Sequence, residues 1–223
     1  LPISADQPRR GGRPSRDAAA ELPLRILACA RELFLDQGFV ATSLQQIAER
    51  AGATKRTLYV KVGDKEALFR AVVEDVLHDW RQSANISGVE GDLRVRLEHI
   101  GLQLLTATLS PDILRLNRVL LSEAYRFPSL IQLVVEQIQQ GPLPRMAHLL
   151  MEARGEVGTP CQDDQIAARF LYEMVVGAPL RVALTGRQAS IDMSFQEWVH
   201  RAVAVFLMGW RGTVGQAQAG QLG

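Results

Sequence analysis

Between residues 38 and 69 the chain is helical in pattern yet cannot form one continuous helix. Apolar residues recur at helical spacing throughout, but Gly38, Gly52 and Gly63 interrupt them, and each is followed by a residue able to cap a new helix: Thr42 or Ser43, then Thr54, then Asp64. Upstream, Ile26, Ala30, Leu33 and Phe34 form the stripe of a longer helix that Gly38 should end. Leu44, Ile47, Ala48 and Ala51 then line one short helix, and Leu58 and Val62 a second. From Asp64 a long helix follows, with Leu68, Val72 and Val76 on one side and Phe69, Val73, Leu77 and Trp80 beside them.

A longer helix followed by two short ones joined at a glycine is the pattern of a helix-turn-helix. The turn needs a residue that tolerates positive φ, and Gly52 supplies it. The second short helix offers Thr54, Lys55, Arg56, Thr57, Tyr59 and Lys61 to the outside and only Leu58 and Val62 to the inside. Net charge over the whole chain is only +1, so affinity for a polyanion has to come from a local concentration of charge. Residues 50–65 provide one: five basic side chains (Arg50, Lys55, Arg56, Lys61, Lys65) against the single acid Asp64.

The run from Gly38 to Tyr59, GFVATSLQQIAERAGATKRTLY, resembles the signature of the TetR/AcrR family of transcriptional regulators, and Lys65-Glu66-Ala67-Leu68-Phe69 resembles the start of that family's fourth helix. Val60 and Lys61 replace the family's usual aromatic or histidine pair, Val62 its phenylalanine, and Arg56 stands where many members have glycine. The resemblance implies an all-α fold. An N-terminal three-helix DNA-binding domain with a helix-turn-helix joins a C-terminal helical ligand-sensing and dimerisation domain. It further implies a homodimer on a double-stranded, roughly palindromic DNA operator, released by a small apolar or amphipathic effector. A repressor acting by occupancy is the simpler reading, with an activator as the other. The expected boundaries are a basic arm over 1–21, the DNA-binding domain over 22–66, the sensing and dimerisation domain over 67–212 and a flexible tail over 213–223.

Site roles follow from residue chemistry. Lys55 and Arg56 open the recognition helix, where side chains approach base edges, and cations of this kind suit the O6 and N7 acceptors of guanine. Thr42, Ser43, Thr57, Tyr59, Lys61 and Lys65 suit phosphate oxygens, and the family resemblance implies backbone contacts for Thr42, Thr57 and Tyr59. A packed core ring is the other reading of Tyr59. Arg9, Arg10 and Arg13, in a Pro/Gly-rich stretch with little apolar surface, could reach an adjacent minor groove or form a solvated tail.

The remainder reads as helices over 93–109, 111–126, from 128, from 142, 165–185 and 195–211, with Pro179 expected to kink or divide the penultimate one. Phe170 and Met174, with Trp198, Ala202, Phe206 and Trp210, belong to apolar faces broader than one buried stripe and are expected at a dimer interface; an ordinary monomer core is the alternative. Asn117, Tyr125 and Phe170 are the candidate ligand contacts.

Other classes find little support. The two cysteines suggest buried free thiols in a reducing cytoplasm rather than a disulfide framework. The four histidines have no metal-ligand spacing among themselves or with the cysteines, no cofactor motif is present, and nucleophile-elbow, phosphate-loop and H-E-x-x-H patterns are missing. Asp163-Asp164 reads as a solvated helix start. With no apolar run of roughly eighteen residues and no signal-like N-terminus, a cytoplasmic location away from membranes is expected. A helical interaction module that ignores DNA is the remaining rival. It predicts no effect on nucleic acid from losing the charges of Lys55 and Arg56.

Overall fold

A computed structural model describes residues 16–84, 89–155, 161–186 and 193–219, with side chains described between 21 and 210. The arm arginines Arg9, Arg10 and Arg13 lie outside the described residues. Every element among these is helical, as expected: α1 (Arg16–Ala41), α2 (Leu44–Arg50), α3 (Lys55–Val62), α4 (Lys65–Ser83), α5 (Leu93–Thr108), α6 (Pro111–Ser122), α7 (Pro128–Gln140), α8 (Pro142–Ala153), α9 (Gln162–Tyr172), a π-helical turn (Glu173–Gly177), α10 (Ala178–Thr185) and α11 (Phe195–Ala219). The chain divides into two compact units between Ala71 and Val72, inside α4.

Both ends are more helical than expected. Residues 16–21, assigned above to the arm, belong to α1, where Ala18, Ala19 and Ala20 favour the helix. Residues 213–219, assigned to a flexible tail, continue α11; glutamine and alanine outweigh the helix cost of Gly215.

In the first unit, α1, α2 and α3 pack on one another. Gly38, at φ 81°, breaks α1 and turns Phe39 inward. Phe39 joins Phe34 and Phe69 in an aromatic cluster with ring centroids 5.1–5.9 Å apart, which binds the end of α1 to the first turn of α4. Ile26, Ala30, Ile47, Ala48 and Leu58 complete this core.

In the second unit, α5 packs on α11 and α8 on α9. Gly101 permits the close crossing of α5, because a Cβ there would lie 2.8 Å from Val199 Cγ1. The penultimate helix is divided, as Pro179 predicts, and the division takes a specific form. Pro179 has no N–H for the carbonyl of Val175 four residues back, nor for Met174 five back, which a π turn would bond. Both carbonyls accept instead from the indole Nε1–H of Trp198 on α11, at 3.2 Å for Met174 and 3.1 Å for Val175.

Two further corrections concern α9. Asp164 is fully buried rather than solvated: it pairs with Arg154 at 2.5 Å and accepts from the backbone N–H of Cys161 at 3.0 Å, closing the α8–α9 connection. Cys161, expected to be buried, is exposed; Cys29 is half-buried, and both are free thiols.

Candidate nucleic-acid interface and effector cavity

The α2–α3 pair owes its geometry to three local devices. At the start of α2, Ser43 forms a capping box: its Oγ accepts from Gln46 N at 3.2 Å, and Gln46 Oε1 accepts from Ser43 N at 2.8 Å. At its end Gly52, at φ 65°, carries a Schellman turn. Ala53 N donates to Ala48 O at 2.8 Å, and Gly52 N to Glu49 O at 3.2 Å. At the start of α3, Thr54 Oγ1 accepts from Thr57 N at 3.1 Å. With Leu58 fully buried beneath it, α3 can present only its opposite side to solvent.

That side carries Lys55, Arg56, Tyr59, Val60 and Lys61, all exposed. Residues 50–63 contain no acid, and among the described residues Lys55, Arg56 and Lys61 have no ion-pair partner. Tyr59 is 47% exposed, which removes the packed-core reading, and Lys55 Nζ lies 5.9 Å from its ring centroid. The exposed surface of α3 is thus cationic, rich in donors and free of competing carboxylates.

Several expected contacts are altered. Thr42 is buried and its single hydroxyl proton is shared between Leu33 O at 3.1 Å and Gly38 O at 2.8 Å, leaving its side chain no donor for a phosphate. It fixes the α1–α2 turn instead. Lys65 is also engaged internally, donating to Val40 O at 3.3 Å with its ammonium 4.4 Å from the Phe39 centroid. Arg50 pairs with Glu32 on α1. Ser43 uses only acceptor capacity in its cap and keeps its O–H for an outside partner. Thr54 and Thr57 hydroxyls lie 2.8 Å apart; one donates to the other, so the pair retains one outward donor.

The candidate ligand residues do not converge. Tyr125 stands fully in solvent after α6, Phe170 is 62% exposed on α9, and Asn117 bonds Ile113 O at 2.9 Å within α6. None lines either cavity found in the second unit. One, of about 400 Å³, lies between α5 and α8 and is lined by Val89, Arg96, Ile100, Pro144, Arg145, His148 and Leu149. The other, of about 470 Å³, lies between α5 and the start of α11, where Glu98 Oε1 and His200 Nδ1 stand 2.9 Å apart. Sequence periodicity missed Arg96 and Arg145, because a helix-face arginine is normally solvated and nothing local marks which arginines border a cavity. Among the described residues no group of three or more His, Cys, Asp or Glu could hold a metal ion, and no helix is long and apolar enough to cross a membrane.

The residues expected at a dimer interface divide. Ala202 and Phe206 are buried in the chain's own core, Trp198 is held by its indole bond, and Trp210 stacks on Phe206 at 6.4 Å between centroids. Met174 is half-buried. Phe170 is exposed, and Ile166 on α9 with Val205 and Met208 on α11 are further large apolar side chains left exposed on these two helices.

Comparison with known proteins agrees in both units. The family model for "Bacterial regulatory proteins, tetR family" matches residues 26–72. That for "AefR-like transcriptional repressor, C-terminal domain" matches residues 95–211, just over half of the chain's 223 residues. The HTH-type transcriptional regulator YvkB of Bacillus subtilis is 28% identical over 188 residues, which is 83% of this chain and 95% of YvkB. Among solved structures, a TetR-family transcriptional regulator from Mesorhizobium loti superposes with a TM-score of 0.68 at 25% identity, over 87% of this chain and 98% of the other. The flavonoid-responsive regulator FrrA does so with a TM-score of 0.68 at 26% identity, over 85% and 97%.

Proposed function

The chain belongs to the TetR family of bacterial transcriptional regulators, which bind DNA through a helix-turn-helix, and from that premise we propose that it is a dimeric repressor released from its operator by a small molecule. The observation that carries the reading is the exposed, acid-free surface of α3. In each protomer α3 enters a major groove. Lys55 and Arg56 read guanine O6 and N7, and Tyr59, Lys61, Ser43 and the Thr54–Thr57 pair hold phosphates and set register. Repression is favoured over activation by the repressor description of the matching C-terminal domain and by the economy of blocking through occupancy.

Dimerisation uses the open apolar surface of α9 and α11 around Ile166, Phe170, Val205 and Met208, paired about a two-fold axis. The operator is accordingly a rough palindrome with half-sites a helical turn or a multiple of one apart. The effector acts in the second unit and lowers DNA affinity by its differential affinity for the two conformers. Responsiveness of FrrA to flavonoids supports a ligand-driven release. The α4 helix, which spans the boundary between the units, is the lever. The role is cytoplasmic regulation rather than catalysis.

The test is fluorescence anisotropy on DNA flanking the chain's own gene, over a salt series, with wild type against Lys55→Ala/Arg56→Ala. Wild type should prefer that DNA strongly over scrambled DNA. The double variant should lose about 1–3 kcal/mol of discrimination per base contact removed. Equal, weak, steeply salt-dependent binding of every sequence by both proteins, on this DNA and on an unbiased pool, would sink the readout assignment.

A further inference from the structure

We propose that Val60 reads sequence: its side chain contacts the C5 methyl group of a thymine in the major groove, beside the guanine read by Arg56. The proposal rests on the DNA-reading assignment of α3 and adds the recognition of a second base.

The place of Val60 on α3 sets it apart. Leu58, fully buried, and Val62, half-buried, hold the inner side of the helix. At about 100° per residue, Arg56 and Val60 fall about 20° to either side of the line directly opposite Leu58. They are therefore the two side chains that point most directly away from the body of the domain. Tyr59 flanks them on one side and Lys61 on the other, both exposed. A helix lying in a major groove turns its outermost side chains to base edges and its flanks to the phosphate walls. Arg56 and Val60 hold the first kind of position, Tyr59 and Lys61 the second.

Nothing within the chain accounts for a valine there. Val60 is 78% exposed, more than any other valine, leucine or isoleucine among the described residues. It buries little surface in the folded chain, and its branched side chain favours a helix less than a straight one would, in a helix of only eight residues. Bound DNA supplies the missing partner. Lys55, Arg56 and Lys61 draw this surface to a polyanion, and Val60 arrives at the base edges with no donor or acceptor of its own. Against the donors and acceptors of the other bases it would displace water and leave a polar group unpaired. Thymine alone presents a methyl group in the groove, and contact there removes apolar surface from water on both sides. Residues four apart on a helix have Cβ atoms about 5–6 Å apart, or one to two base-pair steps of about 3.4 Å, so the thymine lies within about two base pairs of the guanine.

The test starts from operator DNA selected by the full chain from an unbiased pool. Each thymine is then replaced in turn by deoxyuridine, which deletes the methyl group and keeps the base-pairing edge, and binding is followed by fluorescence anisotropy. Arg56→Ala locates the guanine by relaxing the preference at that position. One thymine within about two base pairs of it should weaken wild-type binding about threefold to fourfold on replacement, and about tenfold when replaced in both half-sites. Val60→Ala should weaken binding to the thymine operator by a similar factor and lose most of the deoxyuridine effect at that one position. Alanine at an exposed helix position leaves the thermal midpoint unchanged or raised, so a fold defect is not the cause. A preferred sequence with no methyl-dependent thymine near that guanine overturns the proposal. So does an equal deoxyuridine penalty in Val60→Ala and wild type. Both outcomes leave the reading by Arg56 intact, whereas a chain that selects no sequence at all overturns the DNA-reading assignment together with the role of Val60.

Discussion

Replacing Trp198 by phenylalanine keeps an aromatic ring on α11 but deletes the indole N–H that reaches the carbonyls of Met174 and Val175. Neither carbonyl can recover a backbone donor, because the residue that would supply it is Pro179. The indole proton is shared between two acceptors at 3.1 and 3.2 Å, so it counts as one hydrogen bond rather than two. Leaving a largely buried acceptor unpaired costs about 1–3 kcal/mol, and the half-buried position of Trp198 favours the lower part of that range. The smaller ring adds a packing loss, so a single substitution cannot separate the two causes. Pro179→Ala can. It restores an N–H at position 179, able to reach Val175 O as an α-helical bond or Met174 O as a π bond, and this makes the indole donor redundant. Trp198→Phe should therefore cost about 1 kcal/mol less in the Pro179→Ala background than in the wild type. Urea unfolding followed by far-ultraviolet circular dichroism, at one fixed subunit concentration, gives the four free energies. If Trp198→Phe costs the same in both backgrounds to within about 0.5 kcal/mol, the indole contributes through its bulk alone and the hydrogen-bond argument is refuted.

Other perturbations test other parts of the chain. Thr42→Val should destabilise the first unit by about 1–2 kcal/mol by leaving the Leu33 and Gly38 carbonyls short of a donor, whereas Thr42→Ser should be milder; equal losses in chemical denaturation would mean the hydroxyl is immaterial. Phe170→Glu with Met208→Glu should convert the dimer to monomer in sedimentation equilibrium, and a persistent dimer would place the interface elsewhere. Burial, with a smaller contribution from the neighbouring charge of Glu173, holds the Tyr172 hydroxyl proton well beyond the usual tyrosine range. The folded chain keeps this proton while the unfolded chain releases it above about pH 10, so stability should be intact below pH 10 and fall above it by at most about 1.4 kcal/mol per pH unit. Tyr172→Phe should flatten that alkaline decline, and an unchanged slope between the two proteins would remove Tyr172 as its source.

The DNA-reading head was legible because its determinants are local. Gly52, Ser43, Thr54 and Asp64 act on backbone groups within a few residues of themselves, so a cap or Schellman turn can be read from spacing alone. Thr42 shows where that logic stops. Its neighbour Ser43 caps the helix, and Thr42 turns inward to carbonyls four and nine residues back, one of them across the Gly38 break. A hydroxyl beside a helix start has two local roles open to it, and the side chosen depends on how Phe39 packs against Phe34 and Phe69. The charge count was misleading for a related reason. Of five cations between Arg50 and Lys65, Arg50 and Lys65 are held by Glu32, Val40 and Phe39, partners remote in sequence.

In the second unit the sequence shows how much of a helix is apolar but not which neighbour covers each part. The stripe through Ala202, Phe206 and Trp210 is wide enough to suggest two partners, yet the chain's own core absorbs it, because Gly101 and the divided helix at Pro179 let α5 and the π turn close on α11. What remains for a partner is Val205 and Met208, a side of α11 that looks unremarkable in sequence because Arg201 and Gly209 interrupt it. The cavity residues are harder still to foresee. Arg96 and Arg145 lie 49 positions apart on different helices, and each alone fits an ordinary solvated helix face. Only the packing of α5 near α8 brings them to the border of one cavity. In this chain the helix-turn-helix geometry is written into contiguous sequence and the cavity lining into tertiary approach. Substitutions on the α5 and α8 faces can therefore change the cavity lining while the pattern from Gly38 to Phe69 stays as it is.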